Sequence, residues 1–377
     1  MIDEKVSTVI FEGGRAESPI EAEMTAIRKE VVLDTIEKLG QVKEIDETIL
    51  CTNYRDLAQE ASTLGAQIDF DDDLESYHFG RRLVRVTNDR RLENVLYMGG
   101  VAAPLIRLDE IAQIALDLRT KKNVVITNNI QSADVIAWSP GRAINYIEPP
   151  SADNVLGYLL RKAGMERILI PNSPRVNFDL DTPTDILILG MQAETGRRAK
   201  AAIRELDWDD SRIRAACAVF GTPDSHVLLT GRVGPPVMQF ISMNMICHLR
   251  VISEERGMKA LGREDRGEVI SLVGQMIDLV GPRGFFERIS RLCQVAFIDT
   301  RVIFAHRKIK PSDWDRFNSD LFRDQIIRDS FVREFTQEAF AASFPVVLGG
   351  HSLISGGIWL LSDQIAEERR ILQGEDF

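Results

Sequence analysis

Through the first half of the chain, short β-rich runs alternate with longer stretches of helical periodicity, and that alternation leaves few ways to fold. Ser7–Phe11, Thr48–Thr52, Asn94–Met98, Asn123–Thr127, Asp134–Trp138 and Arg167–Ile170 read as strands. Between the first two, Ile20, Met24, Ile27, Val31 and Leu39 recur at helical spacing, and Gly40 supplies a stop. A second helix is expected after Pro104, with Ile106, Ile111, Ile114 and Leu116 on its apolar face. Strands and helices in such alternation predict a mainly parallel α/β sheet covered on both faces.

At 377 residues the chain is too long for one average domain and fits two. The polar, glycine-flanked passage Gly190–Arg198 marks the joint, giving an expected first domain over 1–195 and a smaller α/β domain over 200–377. In the latter, His226–Thr230, His248–Ser253, Val295–Phe304 and Pro345–Leu348 read as strands, and Pro236–Ile246 and Trp314–Phe340 as helical.

A net charge of −11 argues against bulk affinity for nucleic acid or anionic membrane, both of which depend on accumulated Lys and Arg. The acidic start Met1–Lys5 lacks the pattern of a secretory signal, and no apolar run reaches membrane-spanning length, so a cytoplasmic protein is expected. The four cysteines are widely separated, without the paired spacing of a zinc site or redox dithiol, and read as small buried hydrophobes.

The densest local signal is Asn177–Asp185, where Asp179, Asp181 and Asp185 bracket a Thr-Pro pair. Carboxylates this close repel unless a cation, a helix N-terminus or solvent separates them. Two readings stay open: a loop beside a metal, or a helix start with Asp181 or Thr182 as N-cap, Pro183 in the first turn and Asp185 complementing the dipole. Glycine pairs stand at two strand ends, Gly13–Gly14 and Gly99–Gly100, where backbone N–H groups can approach an anion, or where the chain merely turns tightly.

On these residues the first 190 positions resemble the nucleotidyltransferase family that includes the molybdenum-cofactor guanylyltransferases and the 2-phospholactate guanylyltransferases. Thr8–Arg15 matches the family's first strand and double glycine, and Asp179–Asp185 its late Asp-x-Asp-Thr-Pro-x-Asp motif. The resemblance implies a Rossmann-like sandwich of the nucleotide-diphosphosugar transferase type. It also implies a nucleoside triphosphate, GTP by preference, with Mg2+ as cofactors. Gly13, Gly14, Arg15, Gly99 and Gly100 would then line the nucleotide, with Asp179 and Asp181 near the metal. Two departures stand out. Ala102 occupies the position of the family's metal-binding Asp, and Glu17, Glu21 and Glu23 fall where basic residues would meet the triphosphate. Recruitment of Asp71, Asp72 or Asp73 as a substitute ligand is one reading of that acidic run; a solvated loop is the other.

No family is recognised in the second half. Its expected strand ends carry Arg232, Arg256, His306, Arg307 and His351, which parallel strands would gather on one edge as a possible anion site. Gly350–His351–Ser352 suggests a nucleophile elbow, but Ile354 replaces the required second glycine, which rejects a serine hydrolase. The expected function is a nucleotidyltransferase-like protein moving a nucleoside monophosphate to a phosphorylated or acidic small molecule, with pyrophosphate released. The alternatives are a catalytically degenerate nucleotide- or metabolite-binding regulator, and chemistry on an anionic small molecule in the second domain.

Overall fold

The computed structural model describes residues 5–72, 75–130 and 132–373. It divides into two compact units: 1–17 with 25–177 and 194–202, and 18–24 with 178–193 and 203–377.

The first unit runs β1 (Val6–Phe11), α1 (Pro19–Leu39), β2 (Glu47–Thr52), α2 (Arg55–Thr63), β3 (Gln67–Phe70), α3 (Phe79–Asp89), β4 (Asn94–Gly99), α4 (Leu108–Thr120), β5 (Val124–Thr127), β6 (Val135–Ser139), α5 (Leu156–Lys162) and β7 (Glu166–Leu169). The first turn of α1 belongs to the second unit. The strands form one seven-stranded sheet in the order β3-β2-β1-β4-β6-β5-β7. Only β6 is antiparallel to its neighbours. This is the mainly parallel, Rossmann-like α/β sandwich that the sequence predicts.

The pleat sorts the strand residues between two cores. Val6, Ile10, Leu96 and Met98 face α1, α2 and α4 through Leu33, Ile36, Leu57, Ile111, Ile114 and Leu118. Val9, Val95 and Tyr97 face α3 and α5 through Phe79, Leu83, Val86, Leu156 and Leu160. On α4 the expected apolar stripe is shifted. Leu116 is exposed and Leu118 is buried, because the face set by Ile111, Ile114 and Ala115 continues at Leu118 and position 116 falls on the opposite side of the helix. The short strand β3 has no counterpart in the sequence reading; its side chains are only partly buried or exposed, so it carries little apolar periodicity.

The second unit contains α6 (Pro183–Met191), part of α7 (Arg197–Glu205), α8 (Ser211–Phe220), β8 (His226–Gly231), α9 (Pro235–Asn244), β9 (His248–Ser253), α10 (Leu272–Ile289), β10 (Val295–Asp299), α11 (Thr300–His306), α12 (Asp313–Asp320), α13 (Ser330–Ala341), β11 (Val346–Gly349) and α14 (Ile358–Gln373). Its four strands are all parallel, in the order β11-β10-β8-β9. Leu228, Ala296, Ile298, Val346 and Leu348 pack against Ile277, Phe285, Phe286, Ile303 and Phe335. Two sequence expectations are corrected here. The run Val295–Phe304 is a strand only to Asp299, whose side chain accepts from Arg301 N–H and so caps a helix. The stretch Trp314–Phe340 is two helices, with Ser312 and Asp329 as separate N-caps. Among the described residues no helix is long and apolar enough to cross a membrane.

Candidate functional site

Each sheet has a strand pair at which the chain reverses its direction of winding. In the first, β1 is followed outward by β2 and β3, and β4 then returns to the other side of β1. Ligands of open α/β sheets bind outside the carboxyl ends of such a pair. Phe11 and Gly99 are register partners, so Gly13–Gly14 and Gly99–Gly100 leave the sheet side by side.

What fills this edge is not apparent from the glycines alone. Glu12 is buried, and its carboxylate takes two hydrogen bonds from Arg28, at 3.0 and 3.1 Å. A side chain at Gly100 would collide with that carboxylate, so this glycine makes room for Glu12. Asn53, just past β2, accepts from Gly14 N–H at 2.8 Å and donates to Gly14 O at 3.0 Å. Gly14 has φ +138°, a conformation that favours glycine, and an added Cβ at Gly13 would lie 2.5 Å from Asn53 Oδ1. The turn is thus fastened by a side chain, and the Gly14 amide is already engaged. Arg15 is exposed and makes no ion pair among the described residues.

Beside Gly99, the buried phenol of Tyr97 donates to Asp153 Oδ2 at 3.1 Å, and burial together with that carboxylate pushes the phenol pKa upward. Ala102 is buried at the position where the family resemblance would put a carboxylate. Asp71 is tied to Arg82 at 2.9 Å, and burial raises its pKa; Asp73 lies outside the described residues. Glu23 accepts from Trp208 Nε1 at 3.0 Å within the second unit. Among the described residues no group of three or more His, Cys, Asp or Glu side chains is arranged to hold a metal ion.

The Asp179–Asp185 motif belongs to the second unit. Thr182 caps α6, Pro183 takes the first helical position, and Asp185 closes a capping box. Asp185 Oδ2 accepts from Asp181 N–H, Thr182 N–H and Thr182 Oγ1 at 2.8–3.1 Å. Its Oδ1 is buried without a partner, and burial, with Asp181 beyond it, drives the carboxyl pKa well above the ordinary range. Asp181 is exposed; Asp179 exchanges backbone hydrogen bonds with Ser352 Oγ, at 3.2 and 2.6 Å. The helix-start reading accounts for Thr182, Pro183 and Asp185.

In the second sheet the reversal falls between β8 and β10. At their carboxyl ends, buried Arg232 grips Asp299 through Nε at 2.6 Å and Nη2 at 3.1 Å. Gly231, φ +118°, lets the chain pass against Asp299, where a Cβ would clash. Buried Arg301 grips Asp320 in the same two-pronged manner, at 2.6 and 2.8 Å, and donates also to Thr300 Oγ1 and Gly349 O. His351 follows β11. Burial, Arg232 and Arg256 lower its pKa to about 4 against the opposing pull of Asp299 and Asp181, and Nδ1 is buried without a partner.

Of the five residues that the sequence marks for an anion site, Arg232, Arg256 and His351 therefore share one field. His306 and Arg307 stand apart from it in bonding. Both engage Asp278 of α10, and His306 Nδ1 also accepts from Ser271 N–H at 3.1 Å. Sequence reading gives Arg28, Asp299 and Arg301 no role and misses Glu12, Asn53 and Asp320. Glu12 beside Gly13 and Asp299 at a strand end carried a signal, but their arginine partners are remote in sequence.

No family model matches the chain, and neither does any curated protein. Solved structures do. A CMP:2-keto-3-deoxy-manno-octonic acid synthetase complexed with CTP is 15% identical, covering 48% of this chain and 94% of its own, with a TM-score of 0.35. A cytidylyltransferase from Leptospira borgpetersenii is 13% identical, covering 53% and 92%, with a TM-score of 0.39. A 4-diphosphocytidyl-2C-methyl-D-erythritol synthase from Anaerococcus prevotii is 16% identical, covering 48% and 95%, with a TM-score of 0.35.

Proposed function

We propose that this is a nucleotidyltransferase-like protein that holds a nucleoside triphosphate at the carboxyl edge of β1 and β4. The observation carrying the reading is the pairing of Gly13–Gly14 with Gly99–Gly100 at the reversal of a seven-stranded sheet with one antiparallel strand. Asn53 and Glu12 fill the space beside Gly13 and Gly100, so the room for a phosphate chain at this edge is that beside Gly14 and Gly99, where an added Cβ would meet only ordinary contacts. Arg15, exposed and making no ion pair among the described residues, is the nearest cation in sequence to that edge. In the transfer reaction, an anionic oxygen of a phosphorylated or acidic acceptor bonds to the α-phosphorus as the bond to pyrophosphate breaks.

Magnesium, which the family resemblance implies, does not fit the residues of this edge. Ala102 offers no oxygen, Glu12 is committed to Arg28, and the remaining carboxylate beside Gly99, Asp153, already accepts from Tyr97, so no cluster of ligands stands there among the described residues. That observation favours a second reading, in which the same edge binds a nucleotide and transfers nothing.

Calorimetric titration with GTP, ATP and CTP, with and without magnesium, tests the shared claim; base-selective binding supports it, and no heat with any of the three removes it. Pyrophosphate release then separates the readings. Turnover by the parent protein establishes transfer, whereas turnover appearing only in Ala102→Asp establishes a binding protein with a degenerate site.

A further inference from the structure

The second sheet carries a feature that nucleotide binding in the first unit does not use. At its carboxyl edge several donors remain after all internal pairs are counted. Arg232 has five N–H groups and spends two on Asp299 side-chain oxygens, leaving both on Nη1 and the second on Nη2. Arg256, three residues past β9, is exposed and makes neither hydrogen bond nor ion pair among the described residues. The backbone N–H groups of Gly350 and His351 donate to nothing among the described residues. His351 Nδ1 is buried without a partner among the described residues, and an unpaired buried polar atom destabilises the fold unless something meets it.

We propose that the carboxyl edge of β8, β10 and β11 is a second ligand site, taking a small oxyanion of the carboxylate or phosphate class. Arg232 Nη1, Arg256, the Nδ1–H tautomer of His351 and the amides of Gly350 and His351 are its donors. The carboxylates that would repel an anion are mostly neutralised: Asp299 by Arg232, and Asp320 by Arg301. Asp181, exposed, is the remaining acid felt by His351, and solvent screens it. Arg301 spends Nη1 and Nη2 on Asp320, Thr300 and Gly349, and only its Nε, beside Gly350, is left to add to the donors. The depressed pKa of His351 keeps the ring neutral at pH 7, so it offers a hydrogen bond rather than a charge, and selectivity rests on the two arginines. The position agrees with the topology, because β8 and β10 flank the reversal of this sheet.

The test uses the full chain with 15N-labelled histidine, without nucleotide, so its outcome is separate from binding in the first unit. Inorganic phosphate is titrated in one arm and acetate in the other, at constant ionic strength, and His351→Gln assigns the ring signals. The site is supported if the His351 signals move saturably in either arm, which also identifies the anion class, and if Arg256→Gln raises the midpoint about tenfold or more. Arg232→Lys, which keeps a cation on Asp299 and removes Nη1, should weaken it likewise. Immobile His351 signals in both arms overturn the proposal, as does an unchanged midpoint in Arg256→Gln with an unchanged melting temperature.

Discussion

The two carboxyl edges solve the same geometric problem with opposite chemistry. At β1 and β4 the backbone is open, but the charges beneath it are settled: Glu12 is closed by Arg28, and Gly14 is pinned by Asn53. At β8 and β10 the backbone is crowded and the charges are buried, yet Arg232 and His351 keep unspent polar atoms. The family resemblance therefore points to one edge, while the surplus of donors lies at the other.

The sharpest break of the comparison is removal of one acid from each edge. Asp320→Ala strands the Arg301 guanidinium in the interior and should cost about 3–5 kcal/mol in denaturant unfolding. Glu12→Ala frees Arg28, whose side chain is 34% exposed and can turn to water, so the loss should stay near about 1–2 kcal/mol. Equal losses would erase the distinction between a buried and a semi-exposed pair.

The next effect is on pH dependence and belongs to the second edge alone. With a folded pKa of about 4 against 6.5 ordinarily, His351 takes up a proton more readily in the unfolded chain. Its contribution is complete above about pH 6.5 and falls away toward pH 4, by about 3 kcal/mol in all. His351→Gln should flatten the stability profile across that window, as read by denaturant unfolding at a series of pH values.

Gly100→Ala then probes the first edge, where the new methyl must displace the Glu12 carboxylate; a cost of about 1–3 kcal/mol is expected from the melting temperature. The smallest effect is Thr182→Ala, which removes the cap of α6 while leaving Asp185 its two backbone donors, and should cost about 1 kcal/mol.

Much of the sheet architecture was legible. The run Ile20, Met24, Ile27, Val31, Leu39 is buried throughout α1, and each of the six first-half strands appears within a residue or two of its expected place. Apolar periodicity records which face is buried, so it survives in a single sequence. The misreadings arise where periodicity carries no mark of the boundary or of the partner. Val295–Phe304 continues its apolar run into α11, where both strand and helix are buried and only the cap on Asp299 marks the change. The basic residues of the second half were visible as a group, but Arg307 and Arg232 are told apart only by their partners, Asp278 and Asp299.

The sequence by itself determined the alternation of strands and helices and the glycine pairs at two strand ends, because these depend on periodicity and on neighbours within a few residues, and it narrowed Asp179–Asp185 to a metal-side loop or a capped helix start, of which the structure shows the cap. Only the tertiary structure decided which charges were spent. Glu12 meets Arg28 across 16 positions, Arg232 meets Asp299 across 67, and Gly14 meets Asn53 across 39. Pairings at such separations follow from strand order, and strand order is set by how the whole chain buries its apolar faces.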